Sequence, residues 1–139
     1  MLGSVELKDY MLRNPVTARP ELTVYEAALR ILDHKVSGLV VVDERQALMG
    51  MLSELDCLRV ILAGVYNDEE YGAALVGDVM TREVEVQHPH DDIVDVATSM
   101  LDHKHRRRPV VQDGLLVGQV TCRQILKVVT EGLIDQKRR

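Results

Sequence analysis

The chain alternates between two hydrophobic rhythms. Val24, Ala27, Ala28, Ile31 and Leu32 recur at helical spacing behind Thr23-x-x-Glu26, a capping-box signature, which predicts a helix from Thr23 to about Lys35. Continuous apolar runs predict strands over Leu39–Asp43 and Ala47–Leu52, joined by a turn near Glu44-Arg45-Gln46. Ser53 then caps a helix over Glu54–Leu62. The order repeats further along. Asp91 or Asp92 caps a helix over Ile93–Lys104, and strands follow at Pro109–Gln112 and Leu115–Val120 around an Asp113-Gly114 hairpin turn. Thr121 caps the last helix. Short extended pieces at Val16–Arg19 and Val84–Gln87 precede the first helix of each set, so the reading is strand, helix, strand, strand, helix, twice.

The residues themselves repeat. Leu32-Asp33-His34-Lys35 recurs as Leu101-Asp102-His103-Lys104, an offset of 69 that also pairs Asp9 with Asp78, Met11 with Met80, Pro20 with Pro89 and Val41 with Val110. After a one-residue gap an offset of 68 pairs Leu48 with Leu116, Gly50 with Gly118 and Leu58 with Leu126. Each unit, of about 60 residues, is marginal for folding alone. We expect a first unit over 5–64, an acidic join over 65–75 and a second unit over 76–134, packed about a pseudo-twofold axis as one composite domain.

Composition narrows the function. Of 139 residues 46% are hydrophobic, which excludes a disordered chain, but Phe and Trp are absent and the aromatics are four Tyr. The core must be aliphatic, and recognition of nucleic acid by base stacking on aromatic rings is disfavoured. A net charge of −5 argues against non-specific binding to DNA or anionic membrane. Cys57 and Cys122 form no C-x-x-C pair, and no run approaches the roughly 20 apolar residues of a membrane span. With no basic-then-apolar leader, a cytoplasmic location is expected.

Three kinds of piece, in order and twice over, carry a resemblance. The first is x-Asp-x-Met, at Lys8-Asp9-Tyr10-Met11 and Gly77-Asp78-Val79-Met80. The second is the strand after the helix, at Ser37-Gly38-Leu39-Val40-Val41-Val42-Asp43 and Arg107-Arg108-Pro109-Val110-Val111. The third is Gly50-Met51-Leu52-Ser53-Glu54-Leu55-Asp56, matched by Gly118-Gln119-Val120-Thr121-Cys122-Arg123-Gln124. Over nearly its whole length the chain resembles a tandem pair of cystathionine-β-synthase (CBS) domains, a Bateman module. The resemblance implies an α/β (α+β) fold of two small sheets flanked by helices, with clefts between the units. It also implies binding of AMP, ADP, ATP or S-adenosylmethionine in such a cleft by a regulatory sensor that does no chemistry on its ligand. A homodimer paired through helices is implied as well. No output domain is recognisable, so the signal is expected to pass to a separate effector protein.

The Gly50–Asp56 stretch suits a ribose and phosphate holder. Gly50 allows close backbone approach. Ser53 stands at a helix N-terminus, which favours an anion, and Asp56 lies one turn in with a carboxylate that can accept from both ribose hydroxyls. The bland alternative is that Ser53 is only an N-cap and Asp56 a favourable first-turn acid. Arg106 and Arg107 precede the second unit's strand, where guanidinium forks suit phosphate, and Arg123 begins the last helix. Their bland reading, with His103, Lys104 and His105, is a solvated helix C-terminus. Gln124 replaces the ribose Asp in the second unit, so the site around Thr121 and Gln124 is expected to be the weaker one. Thr17 is a further candidate contact to base or sugar.

Two rivals stand beside the sensor. One is a structural or interaction module with empty clefts, favoured by Gln124 and by Ser37-Gly38 where the second unit has arginines. The other is a metal-dependent hydrolase built on His88-Pro89-His90-Asp91-Asp92, a segment read more simply as a helix cap with surface histidines. Asp33-His34 and Asp102-His103 lack a nucleophile elbow, and their duplication suggests a role in the fold.

Overall fold

The computed structural model describes residues 3–67 and 72–138; within the last helix, side chains are described as far as residue 132. The elements are β1 (Thr17–Ala18), α1 (Val24–His34), β2 (Gly38–Val42), β3 (Leu48–Ser53), α2 (Glu54–Tyr66), α3 (Val76–Val79), α4 (Ile93–His103), β4 (Arg107–Gln112), β5 (Leu115–Thr121) and α5 (Cys122–Arg138). A short 3-10 turn covers Leu7–Asp9. Part of the predicted join, residues 68–71, lies outside the described residues.

The chain divides into two compact units, Pro15–Val84 and Glu85–Arg139 together with Met1–Asn14. The sequence repeat and these units divide the chain differently, because each x-Asp-x-Met piece packs on the repeat it does not precede. Leu7 is fully buried among Ile93, Val96, Met100 and Val120. Its N–H donates to the Asp91 carbonyl, and the Lys8 N–H to that of Pro89. The equivalent residues Val76 and Gly77 donate to Leu22 and Pro20. The same bonds thus recur at the repeat offset.

In the 15–84 unit the sheet order is β1-β2-β3, with β1 parallel and β3 antiparallel to β2. All five residues of β2 are buried, matching the unbroken apolar run. Beneath them lie Val24, Ala27 and Ile31 of α1, Cys57 of α2, and Val76 and Met80. In the 85–139 unit β4 pairs antiparallel with β5 over Val110, Val120 and Met100. Asp113 and Gly114 both take positive φ, 54° and 79°, as the two-residue turn requires.

The predicted extended piece at Val84–Gln87 forms only a single bridge, Gln87 to Val110, rather than a strand. One difference between the units here is covalent. In the other unit the Val40 N–H donates to the Val16 carbonyl. Its repeat equivalent is Pro109, which has no N–H to give.

The four-residue identity that reveals the repeat is a helix stop. His34 and His103 donate from Nδ1 to the carbonyls of Arg30 and Ser99, four residues back, at 3.0 and 2.8 Å. Lys35 and Lys104 then take the left-handed conformation, φ 55° and 58°, that ends each helix.

Candidate functional site

Ser53 and Asp56 form a reciprocal capping box at the start of α2. The Asp56 N–H donates to Ser53 Oγ at 3.1 Å, and the Ser53 N–H donates to Asp56 Oδ2 at 2.9 Å. Asp56 Oδ1 receives only a long contact from the exposed Arg59, at 3.4 Å. Oδ1 therefore stands outside the capping box, at the start of α2, in an ion pair with Arg59. Cys57 stands behind it in the core, where burial, and then the Asp56 charge, push its thiol pKa up. A thiol held protonated in this way is no nucleophile.

At Gly50 the backbone is closely approached, as expected, and by a part of the chain itself. A Cβ built there would stand 2.5 Å from the Thr81 carbonyl oxygen and 2.9 Å from Met80 Sδ. Met51 and Thr81 exchange both backbone hydrogen bonds across this contact. On the side a Cβ would occupy, the close approach that Gly50 permits is made by the chain's own Met80 and Thr81. Gly118 repeats the arrangement beneath Met11 and Leu12.

Thr17 lies on β1 and pairs with Val40, so β2 separates it in the sheet from Ser53 on β3. Its carbonyl accepts from Arg30 Nη1 at 2.8 Å.

In the 85–139 unit the fold brings the remaining candidates together. Arg107 pairs with Thr121 in the β4–β5 register, and the Arg106 carbonyl accepts from the Cys122 N–H. Arg106 and Arg123 are exposed. Thr121 and Gln124 build a second capping box. The Thr121 N–H donates to Gln124 Oε1 at 2.9 Å, and the Gln124 N–H to Thr121 Oγ1 at 3.1 Å. Here the carboxamide oxygen is taken up by the cap, and the group carries no charge.

Two further readings change. His105 does not complement a helix end: its Nδ1 accepts from Arg108 Nε at 3.1 Å. Arg108 itself, which drew no functional reading from the sequence, is buried to 2% exposure and is held by Gln87 and Ser99 as well. The signal was available, since its repeat equivalent is the buried Leu39. His88 and His90 contact separate acids, Asp91 and Glu6. Among the described residues no group of three metal-ligating side chains occurs.

The arrangement recurs in known proteins. The CBS domain family model matches residues 7–63 and 76–131. The chain belongs to the CBS domain family. The crystal structure of CBSX2 in complex with AMP is similar over 92% of this chain and 98% of that one, with TM-score 0.81 and 29% identity. The CBS domain pair of MJ0100, in complex with 5-methylthioadenosine and S-adenosyl-L-methionine, matches over 91% of this chain and 97% of that one, with TM-score 0.76 and 26% identity. In sequence, the uncharacterized protein MJ1225 of Methanocaldococcus jannaschii is 29% identical over 123 residues, 88% of this chain. The chain spans 42% of that relative's length. No helix among the described residues is long and apolar enough to cross a membrane.

Proposed function

We propose that this CBS pair is a regulatory module that binds an adenosine-containing ligand, does no chemistry on it, and passes its binding state to a separate effector protein. Asp56 is the proposed ribose acceptor, with Ser53 holding it in place. Arg106, Arg107 and Arg123 are proposed anion contacts of the unit that carries them, and the Thr121–Gln124 box is the weaker counterpart. The observation that carries the reading is Asp56 Oδ1: the capping box uses the other carboxylate oxygen, and among the described residues this one meets only the exposed Arg59, at 3.4 Å, which a ligand hydroxyl can replace. The AMP complex of CBSX2 and the S-adenosylmethionine complex of MJ0100 support the ligand class.

The test is a thermal-shift and calorimetric panel of AMP, ADP, ATP, S-adenosylmethionine, 5-methylthioadenosine and GTP on wild type and Asp56→Asn. A ligand at about 100 times its Kd adds roughly 2.7 kcal/mol, several degrees in Tm. Asparagine keeps an oxygen for the Ser53 N–H, as Gln124 does for Thr121, so the unliganded protein should stay folded. Losing a charged acceptor should weaken binding about tenfold or more. No shift with any adenosine ligand at millimolar concentration, or unchanged affinity in Asp56→Asn, would overturn the assignment.

The exposed leucines of α1 and α2, Leu32, Leu55, Leu58 and Leu62, favour a second reading, an interaction module or homodimer. It predicts a nucleotide-insensitive Tm together with a concentration-dependent mass in sedimentation.

A further inference from the structure

Arg108 carries its charge inside the 85–139 unit, and among the described residues no carboxylate lies within ion-pair distance of it. Its donors go to neutral groups. Nε donates to His105 Nδ1 at 3.1 Å, and Nη1 to Gln87 Oε1 at 2.7 Å and Ser99 Oγ at 2.8 Å. Nη2 donates to the Ser99 carbonyl at 3.3 Å. The link to negative charge is indirect: Gln87 Nε2 donates to Asp91 Oδ2 at 2.6 Å.

A guanidinium has donors only and keeps its protons at any ordinary pH. The partner nitrogen of His105 must therefore hold a lone pair, which makes His105 neutral with its proton on Nε2. We propose that His105 and Arg108 form a proton-operated latch on the turn between α4 and β4. With His105 neutral, the turn is tied to the buried guanidinium. A proton taken up at Nδ1 replaces the acceptor with a second donor, breaks the bond from Arg108 Nε and releases the turn.

The surroundings fit this behaviour. His105 is partly exposed, so protons reach it. Burial, then the Arg108 charge on β4 and His103 on α4, hold its pKa below the ordinary 6.5, while Glu85 before β4 opposes them. The His103 and His105 ring centroids are 5.3 Å apart. From α5, the Cys122 thiol donates to the His105 carbonyl at 3.1 Å. Because the folded value is lowered, stability is full above 6.5 and falls as the pH drops from there through the folded value. The turn also carries the Arg106 carbonyl that accepts from the Cys122 N–H. Release therefore reaches a proposed anion contact, although the latch does not depend on any ligand.

The test uses the full chain without ligand. Imidazole 15N NMR reads the His105 tautomer and titration, and amide exchange from pH 7.5 to 5 reads the turn, in wild type, His105→Gln and Arg108→Leu. Glutamine can accept from Arg108 Nε but does not titrate; leucine copies Leu39 of the other unit. In wild type we expect the Nε2–H tautomer, titration below that of free histidine, and about a tenfold loss of protection at the bonded amides of His105 and Cys122 across it. Protection should be flat with pH in His105→Gln, and the His105 titration should move up toward its ordinary range in Arg108→Leu, short of it because burial remains. An Nδ1–H tautomer, or the same pH-dependent loss in His105→Gln as in wild type, would overturn the latch; both readouts decide even if Arg108→Leu fails to fold.

Discussion

The two units place one guanidinium each between helix and sheet, but from opposite sides. In the 15–84 unit it comes from the helix: Arg30 of α1 reaches the Thr17 carbonyl, and the strand residue equivalent to Arg108 is Leu39, fully buried. In the 85–139 unit it comes from the strand: Arg108 of β4 reaches inward to Ser99 of α4, the repeat equivalent of Arg30. The neighbours change with it. Ala18 and Val36 of one unit stand where the other has Gln87 and His105. A largely apolar set and a partly buried polar network around Arg108 therefore occupy one framework. A buried charge is tolerable when every donor finds a geometrically good partner, and costly when one is removed. The difference teaches that the polar set was exchanged as a group, and that the latch exists in one unit only.

Breaking the group should give the largest effect. Leu39→Arg places a cation in the 15–84 core with Arg30 already nearby and no Gln or His to receive it. We expect a loss of about 3–5 kcal/mol in urea unfolding, a large share of the roughly 5–15 kcal/mol that holds a domain folded. Adding Ala18→Gln and Arg30→Ser supplies two of the three partner residues that Arg108 has, the equivalents of Gln87 and Ser99, and should recover at least half of that loss. Equal stability of the single and triple variants would show that the partners do not matter and that the comparison is one of volume alone.

Where the units agree, a symmetric pair of substitutions sharpens the comparison. Gly50 and Gly118 each lie beneath a methionine and a backbone carbonyl of an x-Asp-x-Met piece. Alanine at either position drives a methyl into a carbonyl oxygen, which cannot turn aside as a side chain can. A loss of about 2–3 kcal/mol is expected at each, measured by denaturant midpoint. A loss at one position only would mean that one of the two pieces is loosely docked.

How much of this was legible depends on whether it is local. Helix starts and stops were readable because Thr23, Ser53, Asp92 and Thr121 act within three residues of themselves. The family was legible because its pieces recur in order. The docking of Met80 over Gly50 was not, since a repeat read along the chain assigns each piece to the residues that follow it. The glycine signalled a close approach but not what approaches. Arg108 was hidden for another reason: it closes a run of basic residues, His103 to Arg107, that reads as surface. Only the offset to Leu39 shows that its position is buried. For Asp56, spacing alone could not separate cap from ligand contact; the structure shows the cap, which occupies Oδ2, and the ribose contact is the part left to the binding panel.

The smallest effect separates the sheets. β1 adds to β2 through the bond from the Val40 N–H to the Val16 carbonyl, 3.3 Å long, whereas Gln87 makes one bridge to β4. If Pro109 is the cause, Pro109→Val gives back a donor aimed at the Glu85 carbonyl, the equivalent of Val16. One hydrogen bond contributes about 0.5–1.5 kcal/mol. Removing proline also frees the unfolded chain, which costs about 0.4–1 kcal/mol. The two nearly cancel, so Tm should move by no more than a degree or two and is the wrong readout. Amide exchange at position 109 is the right one: a new N–H bonded to Glu85 should exchange about as slowly as that of Val40, whose bond it copies. If it exchanges freely, the shortness of the pairing has a different origin. The remaining difference at that edge is Gln87, whose side chain is held by Arg108 and Asp91 where Ala18 has nothing to hold. The buried guanidinium would then set the local sheet as well as the latch.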